Sequence, residues 1–275
     1  MQTRPGPRPS STPTRHPGAP DAGSWALVTG ASGGIGEAFV DFLAGQGVNV
    51  VLTGRRAEPL ETSAAAARAR GVEAVVITAD LADKAARDEV VAQISSKGLR
   101  ISTLINNAGF GTIGDFAATD PARHLEQIEV NCKALTDLTQ RYLPGMLQQH
   151  RGTIVNVAST ASFQPLPGMA VYAASKAYVR AFTEAVWHEV KGTGVRVITL
   201  CPGPTETAFF QVAGDAHALN WRRTPAQVID TCFKGIAKGV PTVVDGPMNL
   251  AQAVAGRLAP TRLGLTISER VMKRH

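Results

Sequence analysis

The chain has 275 residues, 44% of them hydrophobic, and a formal net charge of +6. This length suits one large α/β core, and the sequence has no apolar run long enough to cross a bilayer. The excess positive charge lies within residues 1–23 and 256–275, so the neutral body between them argues against a nucleic-acid-binding protein.

The two ends of the chain differ from its centre in composition. Residues 1–23 are rich in Pro, Ser, Thr, Arg and Gly and lack the hydrophobic segment of a secretory signal, which predicts a disordered leader. We expect residues 24–246 to form the main domain. Residues 247–275 are then a helical, basic and apolar extension of that same domain.

The cysteines indicate the compartment. Cys132, Cys201 and Cys232 are odd in number, far apart and outside any C-x-x-C spacing. This arrangement predicts reduced core thiols in a cytoplasmic protein. It gives no ligand pattern for a metal ion, and no metal site is predicted.

The first predicted elements form a strand, a glycine turn and a helix. The apolar run Trp25–Thr29 leads into Gly30-Ala31-Ser32-Gly33-Gly34-Ile35-Gly36, and helical spacing continues from Glu37 to Ala44. Without a Cβ, glycine lets backbone N–H groups and a helix N-terminus approach a pyrophosphate closely. A second strand, Val48 to Thr53, follows at the distance a βαβ unit requires, so this turn is a candidate dinucleotide site.

The end of the second strand indicates which dinucleotide is preferred. In dinucleotide folds a carboxylate at this place binds the 2′-hydroxyl of NAD, whereas an arginine accommodates the 2′-phosphate of NADP. Here the strand ends in Thr53-Gly54-Arg55-Arg56, with two guanidinium groups and no carboxylate. The sequence therefore predicts NADP(H); the alternative is a pair of solvent-exposed arginines at a helix start.

The alternation of strand and helix continues after Arg56. A helix at 59–69, a strand at 74–78 and a helix at 84–96 are predicted, and Asp80-Leu81 lies between the last two. Asp80 is expected to cap the following helix, to accept a hydrogen bond from an adenine amino group, or both. Leu104-Ile105 then leads to Asn106-Asn107-Ala108-Gly109, whose small and amide residues suit close cofactor approach.

A long helix is predicted from Pro121 to about Gln149, bent or broken near Pro144. Asn131 lies inside it, although asparagine is a mediocre helix former. Two interpretations stay open from the residues alone. Its amide either bends the helix and holds a water molecule, or it is a surface group.

Three side chains around the next strand and helix carry candidate chemistry. Tyr172 and Lys176 stand four residues apart at the start of an Ala-rich helix, so they share one face. A nearby ammonium favours the phenolate and lowers a phenol pKa from its usual value of about 10. Ser159 ends the apolar strand 152–159, where parallel sheets place their ligands, and its hydroxyl can hold a substrate oxygen beside the phenol.

The last predicted elements complete the alternation. Strands at 195–200 and 242–244 and helices at 225–238 and 247–258 are expected. Between them, residues 208–221 lack periodicity and are typical of a mobile lid. The basic tail with interleaved leucines is either a helix packed on its own domain or a helix for a peripheral membrane or partner contact.

Taken in order, these motifs resemble the short-chain dehydrogenase/reductase family over about residues 24–207. The resemblance rests on Thr29-Gly30-x-x-x-Gly34-x-Gly36, Asn106-Asn107-Ala108-Gly109, Asn131, Ser159, Tyr172-x-x-x-Lys176 and Pro202-Gly203. It implies a single-domain Rossmann-type fold, a doubly wound parallel β-sheet flanked by helices on both faces. The long C-terminal extension is similar to that of a branch of reductases acting on 3-ketoacyl chains and steroids.

The resemblance also implies a role for each matched residue. Tyr172 is the expected general acid, Ser159 orients and polarises the carbonyl, Lys176 binds the nicotinamide ribose and lowers the tyrosine pKa, and Asn131 holds a water. The expected cofactor contacts, besides Tyr172 and Lys176, are Gly30, Ser32, Gly34, Ile35, Gly36, Arg55, Asp80, Leu81, Asn107, Ala108, Gly109, Pro202, Gly203, Thr205 and Thr207.

The leading hypothesis is an NADPH-dependent reductase of a lipophilic ketone or 3-ketoacyl substrate, forming a homodimer or homotetramer as family members do. Apolar side chains expected near the pocket are Phe163, Met169, Phe209, Phe210 and Trp221. The alternatives are physiological oxidation of a secondary alcohol and, less favoured, a non-catalytic dinucleotide-binding sensor. Each expected partner is a small molecule, apart from the membrane contact considered for the tail.

Overall fold

The structure is a computed structural model that describes residues 15–207, 209 and 222–272. Its centre is a seven-stranded parallel sheet with the order β3-β2-β1-β4-β5-β6-β7, which confirms the predicted doubly wound fold. The strands are β1 Trp25–Thr29, β2 Asn49–Gly54, β3 Ala74–Thr78, β4 Ile101–Asn106, β5 Gly152–Val157, β6 Val195–Cys201 and β7 Thr242–Val244.

Helices cover both faces of the sheet because successive residues of a strand point to opposite sides. In β1, Leu27 packs in the core under α3, α5 and α6, whereas Val28 packs in the core under α1, α2 and α7. The helices are α1 Gly34–Gly45, α2 Ala57–Ala69, α3 Lys84–Ser96, α4 Pro121–Ile128, α5 Leu135–Gln148, α6 Ala170–Glu189, α7 Pro225–Lys238, α8 Pro247–Leu258 and α9 Thr261–Met272.

The long helix before β5 differs from the prediction. It is not broken near Pro144, since α5 continues through that residue to Gln148. Its irregular part lies earlier, in a π-helical turn over Glu129–Ala134 that joins α4 to α5. Such turns insert one extra residue into a helix and occur often at functional sites.

The end of the predicted leader, residues 15–23, contacts the rest of the chain in the structure. His16 packs edge-on against Phe42 and Phe233, and its backbone N–H donates to Gln46 Oε1 over 2.8 Å. Gly18 lies so close to Phe233 that a Cβ there would meet its carbonyl oxygen at 2.4 Å. Residues 15–23 are therefore packed on the domain, whereas residues 1–14 lie outside the described part.

The C-terminal extension begins with a helix that lies against the rest of the chain. Helix α8 packs against the short 3-10 helix Thr160–Phe163 and against β7. Asn249 and Ala253 form its buried face. Among the helices that the structure describes, none is long and apolar enough to cross a membrane.

Candidate active site

The glycine turn after β1 is built for close approach. Gly30 and Gly34 have φ values of +63° and +59°, a region that L side chains rarely adopt. Gly36 is in the first turn of α1, and a Cβ there would lie 2.1 Å from the Gly30 carbonyl oxygen. At Gly33 a Cβ would meet no atom within 4 Å, and no side chain in the described part caps α1. The uncapped N–H groups therefore face open space, as an anion site requires.

The end of β1 is tied to the end of β4 by a hydrogen-bonding centre that the sequence analysis missed. Thr29 Oγ1 accepts from the backbone N–H groups of Asn107 and Ala108 at 3.0 and 2.9 Å. Asn107 Nδ2 donates to the Thr29 and Gly30 carbonyls at 3.0 and 3.1 Å. Asn107 therefore holds the glycine turn in place. The signal was available, since threonine directly precedes the glycine run.

Asp80 and Leu81 follow β3 at the same edge of the sheet. Asp80 is exposed, and Oδ1 accepts from the Ala82 N–H at 3.0 Å, so it closes its own turn. The N-cap of α3 is Asp83, not Asp80, because Asp83 Oδ1 accepts from Ala85. The carbonyl of Leu81 accepts from Arg87 Nη1 at 2.6 Å.

Arg87 is a second residue that sequence reasoning missed. Its side chain is almost fully buried, and Nε donates to Asp137 Oδ2 in α5 at 2.9 Å. A buried arginine requires such partners, because an unpaired buried charge is strongly destabilising. Arg87 therefore holds the turn after β3 against α5.

The two arginines after β2 reach different partners. Arg56 Nη2 donates to the Ser32 carbonyl in the glycine turn at 3.3 Å. Arg55 is more than half exposed, and Nη1 pairs with Glu126 Oε1 of α4 at 3.1 Å. Glu126 also pairs with Arg123 at 2.9 Å. Arg55 thus lies directly after β2, and one of its guanidinium N–H groups is already hydrogen-bonded to the Glu126 carboxylate.

Asn131 turns inward from the π-helical turn and is buried, which rules out a surface amide. Its Oδ1 accepts from the Phe110 N–H at 3.1 Å, and its Nδ2 donates to the Phe110 carbonyl and to Ser175 Oγ, both at 3.0 Å. The amide therefore fastens the segment after β4 to α6. A water on Asn131 stays a prediction.

Tyr172, Lys176 and Ser159 come together as predicted at the C-terminal end of β5. The Ser159 hydroxyl lies beside the Tyr172 phenol and favours its ionised form, and Ser159 Oγ accepts from the Ala161 N–H at 3.1 Å. Lys176 Nζ lies 5.9 Å from the centre of the Tyr172 ring and donates to the Val157 carbonyl at 2.8 Å. The phenol and the ammonium thus share one face of α6.

Burial dominates the electrostatics of this group. It raises the pKa of Tyr172 to about 12, with the Ser159 hydroxyl acting in the opposite direction. It lowers the pKa of Lys176 to about 8, because a buried ammonium loses its hydration. The expected depression of the tyrosine pKa by Lys176 is therefore absent from this structure, and the phenol is protonated at neutral pH.

The space around the Tyr172 ring is apolar. Met169, Ile113 and Leu166 pack in the same cluster, and the Phe209 ring lies 5.3 Å from the tyrosine ring, centre to centre. Gly111 leaves room there, since a Cβ on it would come within 2.8 Å of Phe209. The predicted pocket residues Phe210 and Trp221 lie outside the described residues.

Comparison with known proteins decides the family. A sequence profile described as short chain dehydrogenase matches residues 24–218. The chain belongs to the short-chain dehydrogenase family. It is 39% identical over 196 residues to sulfoacetaldehyde reductase of Chromohalobacter salexigens, covering 70% of this chain and 77% of that one. It is 32% identical to 7beta-hydroxysteroid dehydrogenase of Collinsella aerofaciens, covering 82% and 88%.

A solved structure adds to the comparison. A short-chain dehydrogenase from Sphingobium yanoikuyae in complex with NADPH superposes with a TM-score of 0.78 at 29% identity, covering 89% of this chain and 95% of that one. As a short-chain dehydrogenase, the chain is an oxidoreductase that uses a nicotinamide dinucleotide to interconvert carbonyl and alcohol groups. Its open glycine turn and the uncapped first turn of α1 fit the diphosphate of such a cofactor.

The remaining predicted cofactor residues of this short-chain dehydrogenase lie in the loop after β6. A Cβ on Gly34 would lie 3.0 Å from Thr207, so this threonine faces the glycine turn. Thr205 Oγ1 donates to the Gly203 carbonyl at 3.0 Å. Pro202 accepts from the Thr160 N–H at 2.9 Å, which joins this loop to the segment after Ser159.

A buried ion pair closes the base of the loop, and sequence reasoning missed it. Arg223 donates from Nε and Nη2 to the fully buried Asp245 at 2.9 and 3.0 Å, and Thr231 donates to the same carboxylate at 2.7 Å. Thr205 and Arg223 also form a β-bridge. The residues on either side of 208–221 are thereby tied together. We call Arg223, Thr231 and Asp245 the loop clasp.

Phe163 does not lie beside Tyr172 in this structure. Its ring packs under the Arg180 guanidinium, and it lines a groove of about 480 Å³ with Ala174, Ala177 and Leu265. Ala174 and Ala177 are on the side of α6 turned away from Tyr172, whereas Ala173 and Leu166 line the groove and also pack in the Tyr172 cluster. Met169 and Phe209 are the predicted pocket residues that the structure brings to the phenol.

Proposed function

We propose that this short-chain dehydrogenase is an NADPH-dependent reductase of an apolar ketone or 3-ketoacyl substrate. The single observation that carries the proposal is the Tyr172 phenol, which lies beside Ser159 and Lys176 and is protonated at neutral pH. A proton donor held at the end of a central parallel strand is what carbonyl reduction requires.

The chemistry divides between the cofactor and the chain. Bound NADPH supplies the hydride. Ser159 holds the carbonyl oxygen, and Tyr172 donates its proton to that oxygen as negative charge develops there. Lys176 keeps positive charge near the phenolate that remains, and its buried ammonium binds ribose hydroxyls. Asn131 positions Lys176 indirectly, through its hydrogen bond to Ser175 in the same helix.

The preference for the 2′-phosphate rests on the end of β2. Arg55 and Arg56 are both exposed there, and Arg56 bonds the backbone of the glycine turn. A guanidinium offers a phosphate two parallel charge-assisted hydrogen bonds. NADP(H) is therefore favoured over NAD(H), and the NADPH-bound structure of a relative agrees with this choice.

The substrate class follows from the apolar surroundings of the phenol. Ile113, Leu166, Met169 and Phe209 cluster around Tyr172 and give an incoming group few hydrogen-bonding partners. A relative named as a hydroxysteroid dehydrogenase is consistent with this substrate class. Oxidation of a secondary alcohol uses the same residues in reverse. A non-catalytic sensor is disfavoured because Ser159, Tyr172 and Lys176 are together at the site.

Self-association is part of the proposal. Leu125 and Ile128 on α4 and Tyr178 on α6 are large apolar side chains exposed to solvent. A homodimer or homotetramer that covers these helices removes that surface from water. The three cysteines are free thiols, in keeping with a cytoplasmic location.

A substrate panel tests the proposal. NADPH oxidation is measured with ketones and 3-ketoacyl thioesters graded by chain length, alongside the same panel with NADH. We expect kcat/KM to rise with chain length and to be higher with NADPH. Tight NADPH binding with no turnover of any carbonyl, in either direction, contradicts the enzyme and supports the sensor.

A further inference from the structure

The outward face of α8 is apolar where a surface helix is usually polar. Its large exposed side chains are Met248, Leu250, Val254 and Leu258, with 64%, 50%, 49% and 78% of their area exposed. Leu250, Val254 and Leu258 follow each other at intervals of four, so they form one stripe along the helix. The buried face holds Asn249 and Ala253. The helix is therefore amphipathic with its larger apolar side chains turned to solvent.

A matched helix of the same domain shows the contrast. Helix α2 has 13 residues and α8 has 12, and both pack one face on the domain. Exposed positions of α2 include Glu58, Glu61 and Arg68, whereas its buried face is apolar. Such burial of the apolar side is the normal arrangement of a surface helix. Helix α8 departs from it, so its outer face requires a separate explanation.

The two charged residues of the sequence from 247 to 268 are arginines, and Glu269 follows them in α9. Arg257, near the end of α8, and Arg262, at the start of α9, are exposed, and Leu263 beside them is 54% exposed. From residue 247 to 268 the sequence has no acidic residue. The chain continues beyond the described residues with Lys273 and Arg274. An apolar stripe bordered by cations is complementary to a surface that is apolar inside and anionic at its rim.

We propose that α8 and the start of α9 bind the surface of an anionic lipid bilayer. Leu250, Val254 and Leu258 enter the boundary between headgroups and acyl chains, and Arg257 and Arg262 bind lipid phosphates. Met248, Leu250, Val254, Leu258 and Leu263 together expose roughly 500 Å², which is below the ~800 Å² that each partner buries in a stable protein interface. Binding to a bilayer has no such minimum area, because the insertion of apolar side chains and the attraction of cations to anionic lipids both contribute to the affinity.

The binding surface adjoins the segment that follows Ser159. Helix α8 contacts the 3-10 helix Thr160–Phe163, and a Cβ on Gly256 would lie 2.6 Å from Gln164 Oε1. A bilayer under α8 therefore lies beside the segment between Ser159 and Tyr172. The enzyme is then placed so that an apolar substrate in the membrane is nearby, although the surface itself does not depend on the proposed reaction.

Vesicle flotation with the full chain tests the proposal. The vesicles are phosphatidylcholine alone, or phosphatidylcholine with phosphatidylglycerol at about a third of the lipid. We expect the wild type to float with the anionic vesicles and to be released by high salt. The double variant Leu250→Gln/Leu258→Gln should reduce the bound fraction at least about fivefold. Phe116→Gln, which replaces a side chain that is 65% exposed and lies outside α8, is the control and should bind like the wild type.

The outcomes are distinguishable. Arg257→Gln/Arg262→Gln should lose the preference for anionic vesicles while keeping the melting temperature of the wild type. Absence of flotation for the wild type, or equal flotation of the leucine double variant, overturns the proposal. A change of oligomeric state in that variant, measured by light scattering, with vesicle binding unchanged also overturns it and assigns the face to a second copy of the chain.

Discussion

The two ends of the catalytic sheet edge are held by different means. On the cofactor side, Thr29, Asn107 and the glycine turn are joined by hydrogen bonds that involve backbone groups of neighbouring strands. On the substrate side, the base of the loop after β6 is held by the ion pair between Arg223 and Asp245, together with backbone hydrogen bonds that join Arg223 to Pro204 and Glu206. The first arrangement rests on hydrogen bonds over a short motif, and the second adds an ion pair between two side chains 22 residues apart.

This difference separates the part of the molecule that recognises the cofactor from the part that borders the substrate. The cofactor side presents the same backbone groups whatever the substrate, since glycine and backbone N–H groups recognise a constant diphosphate. On the substrate side, the loop clasp secures the residues that flank 208–221. We therefore expect changes near Tyr172 and Arg55 to alter chemistry or cofactor choice, and changes in the loop clasp to alter stability.

The largest expected effect is that of Tyr172→Phe. Loss of the proton donor should lower kcat about a thousandfold, because the phenol acts on the developing alkoxide. The dissociation constant for NADPH, measured by fluorescence titration, should stay close to that of the wild type. Retention of a tenth of the wild-type activity would sink the assigned role, since no other donor is adjacent to Ser159 in the described site.

Lys176→Met should separate activity from stability. Turnover should fall about a hundredfold, since positive charge is lost beside the phenol. The unfolding free energy at pH 7 should rise by on the order of 2–3 kcal/mol, because burial lowers the pKa of Lys176 from 10.5 to about 8 and makes its charged form costly in the folded chain.

The pH dependence of that gain checks its cause. The gain should be complete below about pH 8 and should disappear as the pH rises towards 10.5, where the lysine is neutral in both states. Urea denaturation of wild type and variant at pH 7 and pH 10 measures it. A gain that is the same at both pH values contradicts the electrostatic explanation.

Arg223→Gln tests the substrate side. The variant leaves the fully buried Asp245 without its bidentate partner, so the unfolding free energy should fall by about 2 kcal/mol. Lys84→Gln, which breaks an exposed pair with Asp88, is the control and should leave stability nearly unchanged. Equal effects of the two variants in urea denaturation would show that the loop clasp is no stronger than a surface pair.

Under the proposed preference for NADP(H), Arg55→Ala should weaken NADPH binding roughly tenfold and leave NADH binding nearly unchanged, since NADH has no 2′-phosphate for the guanidinium to bind. Isothermal titration with 2′,5′-ADP and 5′-AMP separates the phosphate from the rest of the cofactor. A parallel loss for both ligands contradicts the assignment and indicates that Arg55 contacts the adenosine itself.

The smallest effect is expected for Glu126→Gln. This carboxylate pairs with Arg55 and competes with the 2′-phosphate for its donors, so its removal should tighten 2′,5′-ADP binding about threefold. Glu129→Gln, which removes the exposed partner of Lys133, is the matched control and should have no effect. Weaker binding in Glu126→Gln would mean that Glu126 orients Arg55 for the phosphate.

The sequence predicted the structure best where a short motif lies at the end of a regular strand or helix. The parallel sheet, the glycine turn and the pair Tyr172 and Lys176 follow from periodicity and spacing, because strand ends and helix faces are local properties. The inward turn of Asn131 was not predictable from the residues alone, since it depends on the π-helical turn and on Phe110 across the site. Arg87 and Asp245 were missed because burial of a charge is visible only with its distant partner.

The Tyr172 pKa shows a further limit of sequence reasoning. Spacing places the ammonium of Lys176 near the phenol but does not reveal how deeply both groups are buried. In the structure desolvation sets the direction of both pKa shifts. Likewise, Phe163 is adjacent to Ser159 in sequence, yet its ring packs under Arg180 away from the phenol.

The loop clasp has a consequence for the evolution of this enzyme. Because Thr205 and Arg223 are bridged and Arg223 is anchored on Asp245, the segment between them begins and ends at fixed points. Segments of different length and composition can be exchanged between such points at a small entropic cost, since loop closure depends only weakly on length. New substrate preferences can thus arise by recombination of one short segment, while the hydride and proton chemistry is inherited unchanged.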